Sequence, residues 1–347
     1  MTSNQKVRVG IVGAGGNVRL RHVPGFKAID GVEIVSVCNR TRESSQRAAD
    51  EFGIPQVYDN WLDLVQADDT DAICIGTWPY MHCSITLAAL ESDKHVMTEA
   101  RMAMNADEAR AMLEGSKATP HLVTQVVPAP MSLKVDQTVH EILAGGSLGD
   151  ILAVDMRLPQ QSFVDYDAPM TWRLDRDLSG YNIMMMGIWY EILMRWIGPA
   201  VTVTAMTRTV VRYRSDAQGM RQAVNVPDHV DILCQMACGA QTHMMFSSVT
   251  GLAPGGEVWL YGSQGTLKYD AASTKLYLGK RGDEKLAPVS ISPDKEGSWR
   301  VEEEFINAIR GVEPIKLTTF RDGVKYMEFT EAVTRSAQAG KTVSLPL

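Results

Sequence analysis

Residues 7–12, VRVGIV, run into a glycine-rich turn, Gly13-Ala14-Gly15-Gly16-Asn17-Val18. From there strand-like and helix-like stretches alternate as far as residue 126. That alternation limits the fold more than anything else in the chain. The first run alternates and then becomes wholly apolar, as a strand buried in a parallel sheet does. Helix 18–29 follows, with Pro24 demanding a kink or an early end. The spacing then predicts strand 33–38, helix 42–52 stopped by Gly53, strand 72–76, helix 80–91, strand 95–98, helix 106–117 and strand 121–126. Strands and helices in this order specify a doubly wound parallel sheet.

The pattern changes after Pro128 and Pro130. A helix over 132–144 ends at Gly145-Gly146, and a second is expected over 183–197. Strand-like runs then dominate: 151–158, 201–213, 230–237, 241–249, 258–262 and 266–269, some joined by short turns such as Cys238-Gly239-Ala240. Helices over 301–309 and 322–337 close the chain. The expectation is an α/β protein in two domains. Residues 1–126 form a Rossmann-type dinucleotide-binding domain. Residues 127–347 form an α+β domain with a large, open, mostly antiparallel sheet.

Composition narrows the function. The formal net charge is −7 and no basic cluster occurs, which argues against a nucleic-acid surface. No apolar run reaches the length of a membrane span, and the start, MTSNQKVRV, lacks the apolar core of a signal peptide. The five cysteines are odd in number and fall at no metal spacing, so a reduced cytoplasmic setting and no metal are expected.

Gly13 and Gly15 keep a Gly-x-Gly spacing in which the first residue makes the tight turn and the second lets backbone approach a pyrophosphate. Gly16, Asn17 and Val18 complete the loop, although Val18 stands where the full fingerprint has glycine. Glycines at a strand end also serve as plain turns, and it is the βαβ pattern that points to a nucleotide. After the second strand the run is Cys38-Asn39-Arg40-Thr41-Arg42, without the acid that favours NAD. Arg40 and Arg42 suit a 2′-phosphate, with Thr41 and Ser44 as further donors. NADP is therefore the expected cofactor, with NAD as the alternative that Asn39 accommodates. A solvated basic helix start is the plainer account of the same residues.

Three further stretches resemble the Gfo/Idh/MocA family. Arg21-His22-Val23-Pro24 resembles that family's His-Leu-Pro. IGTWPYMH over 75–82 resembles its Thr-Pro-x-x-x-His turn, and Trp172-Arg173 followed by 179–198, SGYNIMMMGIWYEILMRWIG, resembles its active-site helix. The resemblance spans nearly the whole chain. It implies hydride transfer between a nicotinamide cofactor and a sugar-like alcohol, with Thr77, Trp78, His82 and Glu99 beside the cofactor. It also implies pairing of subunits, as a homodimer or homotetramer, through the second domain's sheet.

The same alignment exposes departures. The family has Glu-Lys-Pro where this chain has Glu99-Ala100-Arg101. It has Asp-x-Gly-x-His-x-x-Asp where this chain has Met185, Gly187, Trp189 and Ile192. Arg101 cannot shuttle a proton but can clamp an anion. Met185, Trp189, Ile192 and Trp196 fall on one helix face, which serves either as core or as an apolar substrate surface, and the second is the expectation. Arg101, Trp172, Arg173, Met185 and Trp189 are thus the substrate candidates. Tyr181 and Tyr190 are the candidates for the missing acid/base, with Arg101 and Glu99 completing the catalytic set. Three activities fit: an oxidoreductase with unusual acid/base groups, a glycoside-cleaving enzyme that oxidises, eliminates and re-reduces, or a cofactor-binding protein without turnover.

Overall fold

The computed structural model describes residues 6–347. Residues 1–5, which open the stretch read as lacking a signal-peptide core, lie outside the described residues. The chain divides into two compact units. One comprises the chain up to Pro128 together with Arg300–Met327. The other comprises Ala129–Trp299 and Glu328–Leu347.

The first unit holds a six-stranded parallel sheet. Its strands are β1 (Val7–Val12), β2 (Val32–Cys38), β3 (Gln56–Val57), β4 (Ala72–Ile75), β5 (His95–Thr98) and β6 (Thr124–Val126), in the order β3-β2-β1-β4-β5-β6. The order reverses direction between β1 and β4, which is the switch point where such sheets bind ligands. Helices alternate with the strands: α1 (Val23–Lys27), α2 (Arg42–Phe52), α3 (Trp61–Gln66), α4 (Pro79–Glu91) and α5 (Ala106–Ala118). Thr41 caps α2 by accepting from the Ser44 amide, and Gly53 ends it at φ +66°, as its sequence implied. The two-residue β3 and the short α3 escaped the sequence reading, although Asn60 caps α3 by accepting from the Leu62 amide. Beyond β6, Val126 exchanges backbone hydrogen bonds with Thr318, and this covers the sheet edge.

The segment before α1 differs from a plain helix. Val18–His22 is a π-turn in which the Val23 amide reaches back to the Val18 carbonyl. Pro24 has no N–H to continue an α ladder, and the wider turn absorbs that gap. The helix expected over 18–29 therefore exists as two pieces. The fold around it is built with α9 (Val301–Ile309), whose Glu302 packs against Gly25. A Cβ on Gly25 would come within 2.7 Å of that carboxylate.

The second unit holds a nine-stranded sheet. Its strands are β7 (Ile151–Pro159), β8 (Ala200–Arg208), β11 (His229–Met236), β12 (Gln241–Ser247), β13 (Glu257–Gly262), β14 (Gly265–Asp270), β15 (Lys275–Lys280), β16 (Ala287–Pro288) and β17 (Val343–Ser344). The order is β16-β15-β14-β13-β7-β12-β11-β8-β17, and only β7 with β12 is parallel. β9 (Tyr213–Ser215) and β10 (Arg221–Ala223) form a separate hairpin. The strand expected over 201–213 stops at Arg208 because the Asp228 carboxylate accepts from the amides of Val210 and Val211, which draws the chain out of the sheet. α6 (Leu133–Ala144), α7 (Arg176–Ser179), α8 (Met186–Ile197) and the later part of α10 (Phe320–Ala339) complete this unit. α8 starts three residues later than expected, after Met184 turns into the left-handed region at φ +45°.

Candidate active site

The glycine turn is shaped by close backbone contact. Gly13 has φ +89°, and a Cβ there would lie 2.6 Å from the Thr77 nitrogen. A Cβ on Gly76 would meet Val18 at 2.2 Å and the Gly13 carbonyl at 2.3 Å. The ends of β1 and β4 therefore fit together with no side chain between them. The other side of the turn is open: a Cβ on Gly16 would meet nothing within 4 Å. A concave stretch of bare backbone at the switch point is what a dinucleotide's pyrophosphate requires.

The end of β2 is fixed to this turn. Asn39 accepts from the Ala14 amide at 2.7 Å and donates to the Ser44 carbonyl at 2.9 Å. The Ser44 hydroxyl donates to the Thr41 carbonyl, and Arg42 pairs with Asp59 at 3.1 Å. Those internal bonds engage two of the groups read as phosphate donors. Arg40 is exposed, and its guanidinium lies 5.5 Å from the centre of the Trp78 ring. Trp78 in turn lies 6.4 Å from Tyr80.

Beyond β5, Glu99 belongs to a buried charged cluster. His22, wholly buried, contacts Glu99 through Nε2 at 2.9 Å and Glu302 through Nδ1, and Asn17 donates to the same Glu99 oxygen. Burial opposes a charge on the ring, but hydrogen bonds to Glu302 and Glu99 outweigh it, and the His22 pKa is pushed up to about 9. Burial works against the Glu99 charge as well, and the His22 contact still holds its carboxyl below the usual range. His22 stood in the motif read as His-Leu-Pro, yet nothing in the sequence linked it to Glu302, 280 residues on.

The Ala100–Arg101 peptide is cis, and Arg101 is buried. His82 is buried too. Its ring lies between the Thr77 and Arg101 carbonyls, each at 3.0 Å, and burial pulls its pKa down. A neutral ring donates to one of the two at a time. His82, read from the sequence as a cofactor residue, ties the turn after β4 to the turn after β5.

In the second unit the helix α8 corrects two expectations. Tyr190 is core: its ring stacks on Phe329 at 3.6 Å, and its hydroxyl accepts from the Ala200 amide at 2.8 Å. Burial raises its pKa, the reverse of what a proton shuttle needs. Trp189 is only 4% exposed and lies 6.3 Å from Tyr269, which Trp196 meets edge-on at 5.7 Å. Ile192 is wholly buried. The face spaced 185, 189, 192 and 196 is therefore core along most of its length, and only Met185, 47% exposed, emerges at its start. An apolar stripe at helical spacing reads the same for core and for an apolar pocket, so sequence could not separate the two.

Tyr181 stays half-buried, with the Arg176 guanidinium 5.6 Å from its ring centre. Arg173 is exposed and stacks on Trp172 at 4.3 Å. The sequence reading missed an ionic group inside α8. Glu191 accepts from the Ala129 amide, and Arg195 bridges Glu191, Asp136 and Ser132. Trp196 donates to Asp136 at 2.7 Å.

Comparison with known proteins agrees with this architecture. Residues 7–125 match the model of an oxidoreductase family with an NAD-binding Rossmann fold, and residues 137–268 match the GFO/IDH/MocA C-terminal domain. The chain is 23% identical to the D-glucoside 3-dehydrogenase of Escherichia coli over 370 aligned positions, which cover 99% of each chain. An uncharacterized oxidoreductase of Rhizobium meliloti, ORF334, is 24% identical over 182 residues, 51% of this chain and 54% of the relative, so the alignment spans about half of that protein. Among solved structures, levoglucosan dehydrogenase in complex with NADH and levoglucosan superposes with a TM-score of 0.86 at 20% identity, covering 99% of this chain and all of that one. The chain belongs to the GFO/IDH/MocA family of oxidoreductases.

Proposed function

We propose that the protein is a nicotinamide-dependent dehydrogenase acting on a hydroxyl or carbonyl of a sugar, polyol or glycoside, with NADP as the preferred cofactor. The observation that carries the reading is the bare-backbone fit of Gly13 against Gly76 and Thr77. A nicotinamide dinucleotide bound there supplies the hydride acceptor or donor. The backbone of Gly15, Gly16, Asn17 and Val18 takes the pyrophosphate. Arg40 takes the ribose 2′-phosphate, beside the turn that Asn39 and Thr41 fix, and Thr77 lines the path toward the nicotinamide. His22 and Asn17 hold Glu99, which fixes the turn that carries Ala100 and Arg101.

Trp172, Arg173 and Met185 are the exposed or part-exposed substrate candidates. Tyr181 is assigned the proton of the reacting hydroxyl, since its phenol both donates and accepts and it is not locked into the core as Tyr190 is. A second reading is transient oxidation of a glycoside followed by elimination and re-reduction. It is favoured by Ala100 and Trp189 standing where the family has Lys and His.

Assembly through the open sheet face and a cytoplasmic setting belong to the same proposal. Met206 and Leu233 are exposed on that face, and all five cysteines are free thiols. No described helix is long and apolar enough to cross a membrane. The deciding experiment incubates the protein with NADP or NAD and a panel of sugars, polyols and glycosides, following nicotinamide absorbance and products together. A net change in cofactor supports the dehydrogenase. Sugar release without one supports the second reading, and binding of cofactor with neither overturns both.

A further inference from the structure

Arg40 and Trp78 come from opposite sides of the glycine turn. In the sheet order β2-β1-β4, Arg40 follows β2 and Trp78 follows β4, so their contact spans the end of β1. The guanidinium sits 5.5 Å from the ring centre, within the range of a cation–π interaction. Around it the other polar groups are committed. Asn39 is bonded to Ala14 and Ser44, Thr41 caps α2, and Arg42 pairs with Asp59. Arg40 makes no ion pair among the described residues, so it is the cation at the ribose end of the crevice without a carboxylate partner.

An exposed arginine normally samples many rotamers, and ordering one costs free energy that weakens any phosphate it binds. A flat aromatic surface removes part of that cost while leaving the N–H edges outward for an anion. We infer that Trp78 is a specificity-determining positioning residue that holds Arg40 ready for the ribose 2′-phosphate, so that selection of NADP over NAD depends on a side chain at the far side of the turn. This rests on the NADP reading and adds to it a residue that touches no phosphate.

The test measures the affinities of 2′,5′-ADP and 5′-ADP, probes that differ in the site of the second phosphate and need no turnover, by calorimetry on the full chain. Arg40→Ala should weaken 2′,5′-ADP by about tenfold or more, the effect of losing a charge-assisted hydrogen bond. Trp78→Leu should weaken 2′,5′-ADP by about two- to fivefold, the scale of an exposed cation–π contact, and leave 5′-ADP unchanged. Trp78→Phe should restore most of the preference. In the Arg40→Ala background, Trp78→Leu should cost nothing more, because the tryptophan acts through the arginine. Arg40→Lys, at an exposed position that keeps the fold, should retain charge but lose part of the preference. Should Trp78→Leu weaken both probes equally, or neither, while Arg40→Ala remains selective, the inference is overturned and the NADP reading stands. If wild type shows no preference for 2′,5′-ADP and Arg40→Ala changes nothing, the NADP reading itself falls and this inference with it.

Discussion

Removing the charge on His22 should make the first unit lose the pH dependence that the buried cluster gives it. In the folded chain the His22 pKa stands at about 9 against an ordinary 6.5. Folding therefore takes up a proton. The stabilisation is complete below pH 6.5 and is lost as pH rises toward 9. At about 1.4 kcal/mol per pH unit, the difference amounts to about 3 kcal/mol. Glu99 works in the opposite sense: its carboxyl is held below the usual range, so its share is present above about pH 4.5 and is lost as pH falls. The assay is hydrogen exchange of β1 and β4 amides, corrected for intrinsic rates, between about pH 6 and pH 9.5. Wild type should lose about 3 kcal/mol of protection across this window, whereas His22→Gln should start lower and change little. Glu302→Gln removes one of the two carboxylates, so its loss should move to lower pH. If His22→Gln loses as much protection over the window as wild type, His22 is not charged in the folded protein and the argument fails.

Four other variants have expected outcomes. Tyr190→Phe should cost about 1–3 kcal/mol by stranding the Ala200 amide, with the pH profile of turnover unchanged, while Tyr181→Phe should lower turnover by about 10²–10⁴; thermal melting and rate measurements on a turning-over substrate separate them. Ala100→Lys should not by itself raise sugar oxidation above the wild-type level, because Trp189 and Ile192 remain and are buried in core; a robust gain over wild type across a substrate panel would refute this. Gly13→Ala should abolish cofactor binding in calorimetry, since the backbone sits at φ +89° and the added methyl would meet the Thr77 nitrogen at 2.6 Å.

Local rules made much of the fold legible. Thr41 and Gly53 bracket α2 as caps do, and the glycine turn announces the switch point. The site was legible only where chemistry is local to a motif. Asn39, Arg40 and Trp78 lie near the turn because strand order puts them there. The His22–Glu302 contact joins residues 280 apart in the chain, and no periodicity signals such a pairing. Tyr190 looked available because a tyrosine on an active-site helix has a polar end, and the Ala200 amide that occupies that end is a tertiary fact. Asp228 and His229 are neighbours in the chain, yet the Asp228 carboxylate holds the Val210 and Val211 amides while His229 meets Asp231.

The return of Arg300–Met327 to the first unit has a consequence for biosynthesis. β1 to β6 leave the ribosome early, yet His22 then lacks Glu302, Gln125 lacks the Leu317 carbonyl, and the β6 edge lacks Thr318. At about 5–20 residues per second, the intervening stretch takes on the order of ten seconds or more to emerge. Through that interval the nascent chain carries an unfinished nucleotide fold with an open strand edge and a solvent-accessible His22. It is then that chaperones have the most to act upon.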